Sequence, residues 1–118
     1  MNGKSVLIAD DEPGICAELE LFLSKKGYKV TTASNGKEAL SIYKKMKQDM
    51  VISDYRMPVM NGFELLLHVK RIDKSAKVIL MSAVVDLDPF VLTRDSVTYE
   101  FIEKPLDLER LLELMEKL

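Results

Sequence analysis

The stretch MVISDYRMPVMNG, residues 50–62, combines a strand pattern with a charge at its end. Its first three residues form a short apolar run of the kind found in strands that are covered on both faces. After Ser53, the carboxylate of Asp54 stands where that strand should end. A charge at the end of an interior strand needs partners, and those partners have to come from the rest of the chain.

The alternation of a short apolar strand with a helical pattern repeats along the whole chain. Residues 5–11 form an apolar run that ends in acids, and the helical spacing that follows stops at Gly27. Residues 28–33 predict a second strand, and Asn35 is the predicted N-cap of a second helix. Further strands are predicted at 77–83 and 99–104, with helices at about 62–71, from Asp88 and Pro89 onward, and after the cap Asp107. The sequence therefore predicts five strands alternating with five helices.

Apolar strands joined through helices imply a parallel sheet with helices on both faces, because each crossover places a helix over the sheet. The predicted fold class is α/β, a doubly wound five-stranded parallel sheet flanked by five helices. No repeat, low-complexity tract or linker interrupts the pattern, so residues 1–118 are interpreted as one domain. In such sheets the carboxyl ends of the strands line one edge, where ligands bind.

Composition narrows the range of functions. The chain has 118 residues, 17 lysines and arginines and 19 acids, so its formal charge of -2 gives no general attraction to nucleic acid or to an anionic membrane. Any function based on charge must be local. The apolar runs are too short to span a bilayer, and the N-terminus lacks the apolar region of a signal peptide, so we expect a cytoplasmic protein. Cys16 is the only cysteine, which excludes an internal disulfide and a cysteine metal cluster.

The predicted strand ends carry polar groups that suit one phosphoryl-transfer site. They are Asp10 and Asp11 after the first strand, Asp54 after the third, Ser82 after the fourth and Lys104 after the fifth. Three carboxylates in close proximity repel one another, and a divalent cation relieves this repulsion. Oxygen ligands with retained waters suit Mg²⁺, and with Lys104 the cluster becomes neutral. It could then bind a phosphoryl group, with Asp54 as the attacking nucleophile.

Each of these residues also has an ordinary structural interpretation. The acids ahead of Pro13 could simply favour a helix N-terminus, and Asp54 could cap the following turn. Ser82 and Lys104 are individually uninformative, because most lysines are solvated and most serines at strand ends bond to the backbone. The hypothesis of a site therefore depends on the conjunction of the residues at four of the five strand ends.

Four segments carry a resemblance to a known family. They are IADDE, SDYRMPVMNG, LMSA and FIEKP, and over essentially its whole length the chain resembles the receiver domains of two-component response regulators. It looks most like the single-domain chemotaxis and sporulation types. The resemblance implies the five-stranded flavodoxin-like fold.

The resemblance also implies roles for the residues of these segments. Asp10 and Asp11 match the family's metal-site acids, with Asp11 the more direct Mg²⁺ ligand, and Asp54 matches the phosphoacceptor that also binds the metal. Arg56 would contribute its backbone carbonyl to the metal. Lys104 would stabilise charge during transfer.

Two further residues match the family's switch. Ser82 stands in the place of the switch hydroxyl, and Phe101 stands in the place of the switch aromatic. For Phe101 plain core packing is an equal alternative, because aromatic residues in strands are usually just buried. On phosphorylation, the surface formed by the fourth predicted helix, the fifth strand and the last helix would change shape and act as the output.

The same likeness implies the partners. A sensor histidine kinase or a phosphotransfer protein would present phosphohistidine, and a downstream output protein or domain would bind the changed surface. The last two helices could support a phosphorylation-dependent homodimer, and we expect neither direct nucleic-acid binding nor membrane insertion. The chain would catalyse only its own phosphorylation and dephosphorylation, so it is not predicted to be an enzyme.

Three other functions compete with the receiver hypothesis. A haloacid-dehalogenase-type phosphohydrolase needs a second acid where Arg56 stands, and a flavodoxin-like cofactor binder needs a phosphate-binding Gly/Ser/Thr loop where this chain has acids. The serious alternative is a receiver-like interaction module whose partner binding ignores phosphorylation.

Overall fold

Residues 3–83 and 99–118, which the computed structural model of the chain describes, form five strands and four helices. The helix predicted to begin at Asp88 and Pro89 lies outside the described residues, so α4 here is the helix capped by Asp107. In chain order the elements are β1 (Ser5–Ala9), α1 (Pro13–Lys25), β2 (Lys29–Ala33), α2 (Gly36–Lys45), β3 (Met50–Asp54), α3 (Gly62–Ile72), β4 (Lys77–Ser82), β5 (Glu100–Glu103) and α4 (Leu108–Lys117).

The strands form one parallel sheet in the order β2-β1-β3-β4-β5. This confirms the predicted doubly wound, flavodoxin-like sheet, with β3 at its centre. The chain moves outward from β1 in one direction and then in the other, so strand order reverses between β1 and β3. The carboxyl ends of β1, β3, β4 and β5 consequently meet on one edge.

Two hydrophobic cores cover the two faces of the sheet. Alternate residues of β1 show the division, because Leu7 packs on the side of α2 and α3 whereas Ile8 packs on the side of α1 and α4. The helical spacing predicts that one face of α4 carries Leu108, Leu111, Leu112 and Met115. The buried residues are Leu111, Leu114 and Met115, so the burial of Leu114 was not predicted. None of the helices in the described parts of the chain is long and apolar enough to cross a membrane.

Side-chain caps fix where the helices begin. The predicted N-caps Asn35 and Asp107 are confirmed, since each side chain accepts hydrogen bonds from backbone N–H groups of the first helical turn. A third cap was not predicted. Asn61 and Glu64 form a reciprocal capping box at the start of α3, the helix that follows the Asp54 loop.

The close packing of α3 against the end of β3 requires a glycine. A Cβ added to Gly62 would lie 2.2 Å from the backbone oxygen of Asp54, which is far inside van der Waals contact. The N–H of Gly62 also donates to the backbone oxygen of Tyr55. The loop between Asp54 and α3 is therefore held tightly at both ends.

Candidate functional site

The carboxyl-terminal edge of the sheet gathers the polar residues that the sequence singled out. Asp10 directly follows β1, Asp54 and Ser82 are the last residues of β3 and β4, and Lys104 directly follows β5. Asp10 is 1% exposed and Asp54 is 6% exposed, which is unusual for carboxylates. Buried charges of this kind require partners nearby.

Three carboxylates converge at this edge. Asp10, Asp11 and Asp54 each offer an oxygen, and these three oxygens all lie within 4.8 Å of one another. Asp10 and Asp54 are buried, whereas Asp11 is exposed, so the cluster is open to solvent on one side. Hard oxygen ligands with access to water are the donor set that Mg²⁺ prefers. The residues present therefore fit a divalent cation.

Lys104 brings a positive charge to the same cluster. Its Nζ lies 3.0 Å from Oδ2 of Asp10, 3.2 Å from Oδ1 of Asp54 and 3.6 Å from Oε1 of Glu12. The backbone N–H of Lys104 donates to the carbonyl of Ser82, which fixes the lysine to the end of β4. One ammonium group thus bridges acids from two different segments of the chain, the loop after β1 and the end of β3.

Glu12 is the site residue that sequence reasoning did not assign. From sequence it is only an acid that favours the start of α1. Its carboxylate is exposed and lies farther from Lys104 than the carboxylates of Asp10 and Asp54 do. Its position two residues after Asp10, in the same short loop, was the available signal.

Asp10 is oriented by hydrogen bonds from both sides. Its Oδ1 accepts from the backbone N–H of Glu12 at 2.9 Å, and its Oδ2 accepts from Lys104. Both oxygens of Asp10 therefore have partners within the protein. Asp11, by contrast, presents its carboxylate to solvent at the mouth of the cluster.

Burial, followed by the neighbouring Asp10 carboxylate, raises the pKa of Asp54 to about 6, although Lys104 acts in the opposite direction. For Lys104, burial opposes the charged form, but the hydrogen bond to Asp10 and the Asp54 carboxylate outweigh it and raise the pKa of the ammonium. Lys104 is consequently charged at neutral pH. A further positive charge near Asp54 would favour its ionised, nucleophilic form.

The other predicted site residues are Ser82, Phe101 and Arg56. Ser82 is buried, and its hydroxyl donates to the carbonyl of Ala83 at 3.0 Å. Phe101 is half-buried within β5, opposite Leu80, and packs against the core on the α2 and α3 side. Arg56 is exposed in the loop after β3. The structure thus brings together the acids and Lys104, with Ser82 at the same edge and Phe101 farther down its strand.

The sequence matches the family model described as the response regulator receiver domain over residues 6–116. It is 33% identical over 117 residues to sporulation initiation phosphotransferase F of Bacillus subtilis (strain 168), covering 99% of this chain and 94% of that protein. It is 36% identical over 116 residues to chemotaxis protein CheY of Thermotoga maritima, covering 98% and 97%. It also matches longer transcriptional regulators, and it spans 25% of the length of one of them.

Solved structures show the same architecture. The response regulator protein TrrA from Thermotoga maritima, crystallised in complex with Mg(2+)-BeF, superimposes with a TM-score of 0.81 at 32% identity. That comparison covers 97% of each chain. Sequence and fold therefore agree over nearly the full length of the chain.

Proposed function

Because this chain belongs to the response regulator receiver domains of two-component signalling, we propose that it takes a phosphoryl group from a phosphohistidine onto Asp54. The observation that carries the proposal is the position of Lys104 Nζ, within 3.2 Å of both Asp10 and Asp54, in a cluster that also contains Asp11. The arrangement combines a buried nucleophile, a fixed cation and acids that suit a metal.

The transfer step needs little rearrangement of the protein. An Asp54 oxygen attacks phosphorus, the bond between phosphorus and the imidazole nitrogen breaks, and the nitrogen retains the electron pair. Negative charge on the phosphoryl oxygens is stabilised by the Lys104 ammonium. Lys104 already lies beside both Asp10 and Asp54 before the donor arrives, which limits the reorganisation that transfer would need.

Asp10, Asp11 and Asp54 would hold Mg²⁺, together with the backbone carbonyl that the resemblance assigns to Arg56. When bound, the cation supplies positive charge that offsets the repulsion between these acids and the incoming phosphoryl group. The Mg(2+)-BeF complex of the similar protein TrrA supports this assignment, since beryllium fluoride is an analogue of a phosphoryl group.

The output would arise from a change at the neighbouring strands. A phosphoryl group on Asp54 would attract the hydroxyl of Ser82 away from its acceptor, the carbonyl of Ala83. Movement at the end of β4 would open space for Phe101, whose half-buried ring borders the same core. A downstream protein or domain would then bind the surface formed by β5, α4 and the helix predicted between β4 and β5.

The donor in this proposal is a sensor histidine kinase or a phosphotransfer protein in the cytoplasm. The chain acts on no substrate apart from its own aspartyl phosphate, and a phosphorylation-dependent homodimer is one form that the output could take.

Intact-protein mass after incubation with acetyl phosphate tests the proposal. We expect a gain of one phosphoryl group that requires Mg²⁺ and is absent in Asp54→Asn. Asp73→Asn is the matched control, because Asp73 lies at the other end of the domain beside Lys47. If a folded native chain gains no phosphoryl group, the proposal fails and the phosphorylation-independent interaction module replaces it.

A further inference from the structure

We call the carboxyl-terminal edge of the sheet, with Asp10, Asp11 and Asp54, the acidic edge. The opposite end of the domain carries a group of cations. α2 and α3 both end there, and β4 begins there. We define the basic end as six exposed cations of these segments: Lys44, Lys45, Lys47, Arg71, Lys74 and Lys77. They outnumber the two acids of the same loops, Asp49 and Asp73, so this end is locally positive on a chain whose formal charge is -2.

Contacts show that the two helix ends form one surface. The Nζ of Lys47, just after α2, lies 4.0 Å from Oδ2 of Asp73, just after α3. Lys77 at the start of β4 pairs in register with Met50 at the start of β3, which places it on the same edge of the sheet. The buried faces of α2 and α3 also share one core.

The helix dipole accounts for only part of this surface. Lys44, Lys45 and Arg71 lie in the last turns of α2 and α3, where cations stabilise the helix C-terminus. Lys74 and Lys77 lie beyond those turns, in the loop after α3 and at the start of β4. The helix dipole therefore does not account for these two lysines.

Two exposed apolar side chains lie among the cations of the basic end. Met46 is 71% exposed and Ile72 is 40% exposed. They are two of the four large hydrophobic side chains that are exposed in the described parts of the chain. A surface that combines lysines with exposed apolar side chains suits a partner that offers both negative charge and an apolar layer.

We propose that the basic end binds the surface of an anionic lipid bilayer. Lipid headgroups attract clustered lysines, and the boundary with the acyl chains accommodates Met46 and Ile72. A nucleic acid would use the charges but would leave these apolar side chains without a partner. Five of the six cations are lysines. Arginine, which binds phosphates and bases in a bidentate manner, is the residue expected at a nucleic-acid site.

When the basic end contacts a bilayer, the acidic edge faces away from it and stays free for a phosphodonor. The strands separate the two ends, and a five-residue strand such as β3 spans about 16 Å. This distance is about twice the Debye length of about 8 Å at physiological ionic strength, so the bilayer would repel the acids of the site only weakly. Docking at the basic end and phosphorylation at Asp54 are therefore compatible.

Vesicle flotation with the full chain tests the inference. We expect binding to vesicles that contain phosphatidylglycerol and none to vesicles of phosphatidylcholine alone, with the bound fraction falling as salt rises. The triple variant Lys44→Glu/Lys47→Glu/Lys74→Glu should lower the partition coefficient about tenfold or more. Lys37→Glu is the control, because Lys37 is an exposed lysine in the first turn of the same helix α2.

Met46→Ser supplies a second, uncharged variant. It should lower vesicle binding about threefold or more. Its uptake of phosphoryl groups from acetyl phosphate should be unchanged, which would show that the variant is folded. The inference is overturned if native protein binds both vesicle types equally or neither, or if Lys37→Glu reduces binding as much as the triple variant does. Binding to duplex DNA that is stronger than vesicle binding and insensitive to Met46→Ser would assign the surface to nucleic acid instead.

Discussion

Asp54 is a carboxylate whose surroundings disfavour its charged form even with Lys104 beside it. Its pKa of about 6 lies above the ordinary value of 3.8, because burial and Asp10 outweigh the effect of Lys104. The protonated side chain is therefore favoured in the folded state. The stability that this provides is complete below pH 3.8 and is lost as the pH rises through about 6.

We accordingly predict that Asp54→Asn stabilises the protein in the presence of a chelator. Well above pH 6 the free energy of unfolding should rise by about 1–2 kcal/mol. This is less than the whole change in the pKa of Asp54 would give, because solvent screens part of the interaction. The difference between variant and native chain should shrink below pH 6. Urea unfolding followed by circular dichroism measures it, since the chain has no tryptophan. A native chain more stable than the variant above pH 6 would contradict the account of Asp54.

We expect Lys104 to support both the fold and the proposed chemistry at this edge. Lys104→Met leaves the buried carboxylate of Asp10 without its ion pair, so we expect a loss of about 2 kcal/mol in stability. With Mg²⁺ and acetyl phosphate present, the rate of phosphoryl uptake should fall about tenfold or more. Lys117→Met, at an exposed lysine in the last turn of α4, should change neither quantity. Uptake by Lys104→Met at the native rate would remove the lysine from the mechanism.

At the scale of the elements, the junction between β3 and α3 controls the position of Asp54. Gly62→Ala places a Cβ against the Asp54 backbone, so either the helix or the strand end must move. We expect a loss of about 3 kcal/mol in the free energy of unfolding. Gly14→Ala, in α1, is the control, because a Cβ there meets nothing within 4 Å and a helical alanine is favourable. Equal melting temperatures for the two variants would show that the junction can relax.

The elements themselves were predictable where the signal is local. The apolar run 50–52 and the caps Asn35 and Asp107 follow from rules that act within a few residues, and the structure confirms them. The burial of Leu114 was not predicted, because it depends on how α4 is rotated against the sheet. That rotation is a tertiary property.

At the scale of the whole molecule, the parallel sheet brings distant residues into one cluster. Asp10 and Lys104 are 94 positions apart, and their proximity was predictable only because parallel strands end on a common edge. The role of Glu12 as a neighbour of Lys104 was not predictable, since an exposed acid before a helix has an ordinary explanation. The sequence pattern thus predicts which strand ends meet, while the packing decides which side chains touch.

Because the fold assembles the acids, a metal that binds them should stabilise the folded state. We predict that Mg²⁺ raises the melting temperature of the native chain, since the unfolded chain holds Asp10 and Asp54 apart. Asp11→Asn should reduce this increase, and Asp73→Asn should retain it in full. An increase of equal size in both variants would place the metal elsewhere.

Borohydride reduction of the chain treated with acetyl phosphate locates the phosphoryl group. Reduction converts an aspartyl phosphate to homoserine, which peptide mass spectrometry assigns to one position. Phosphorylation of the candidate site predicts homoserine at position 54, formed only when Mg²⁺ was present. Homoserine at position 10 or 11, or none at all in a folded chain, would contradict the assignment of Asp54 as the phosphoacceptor.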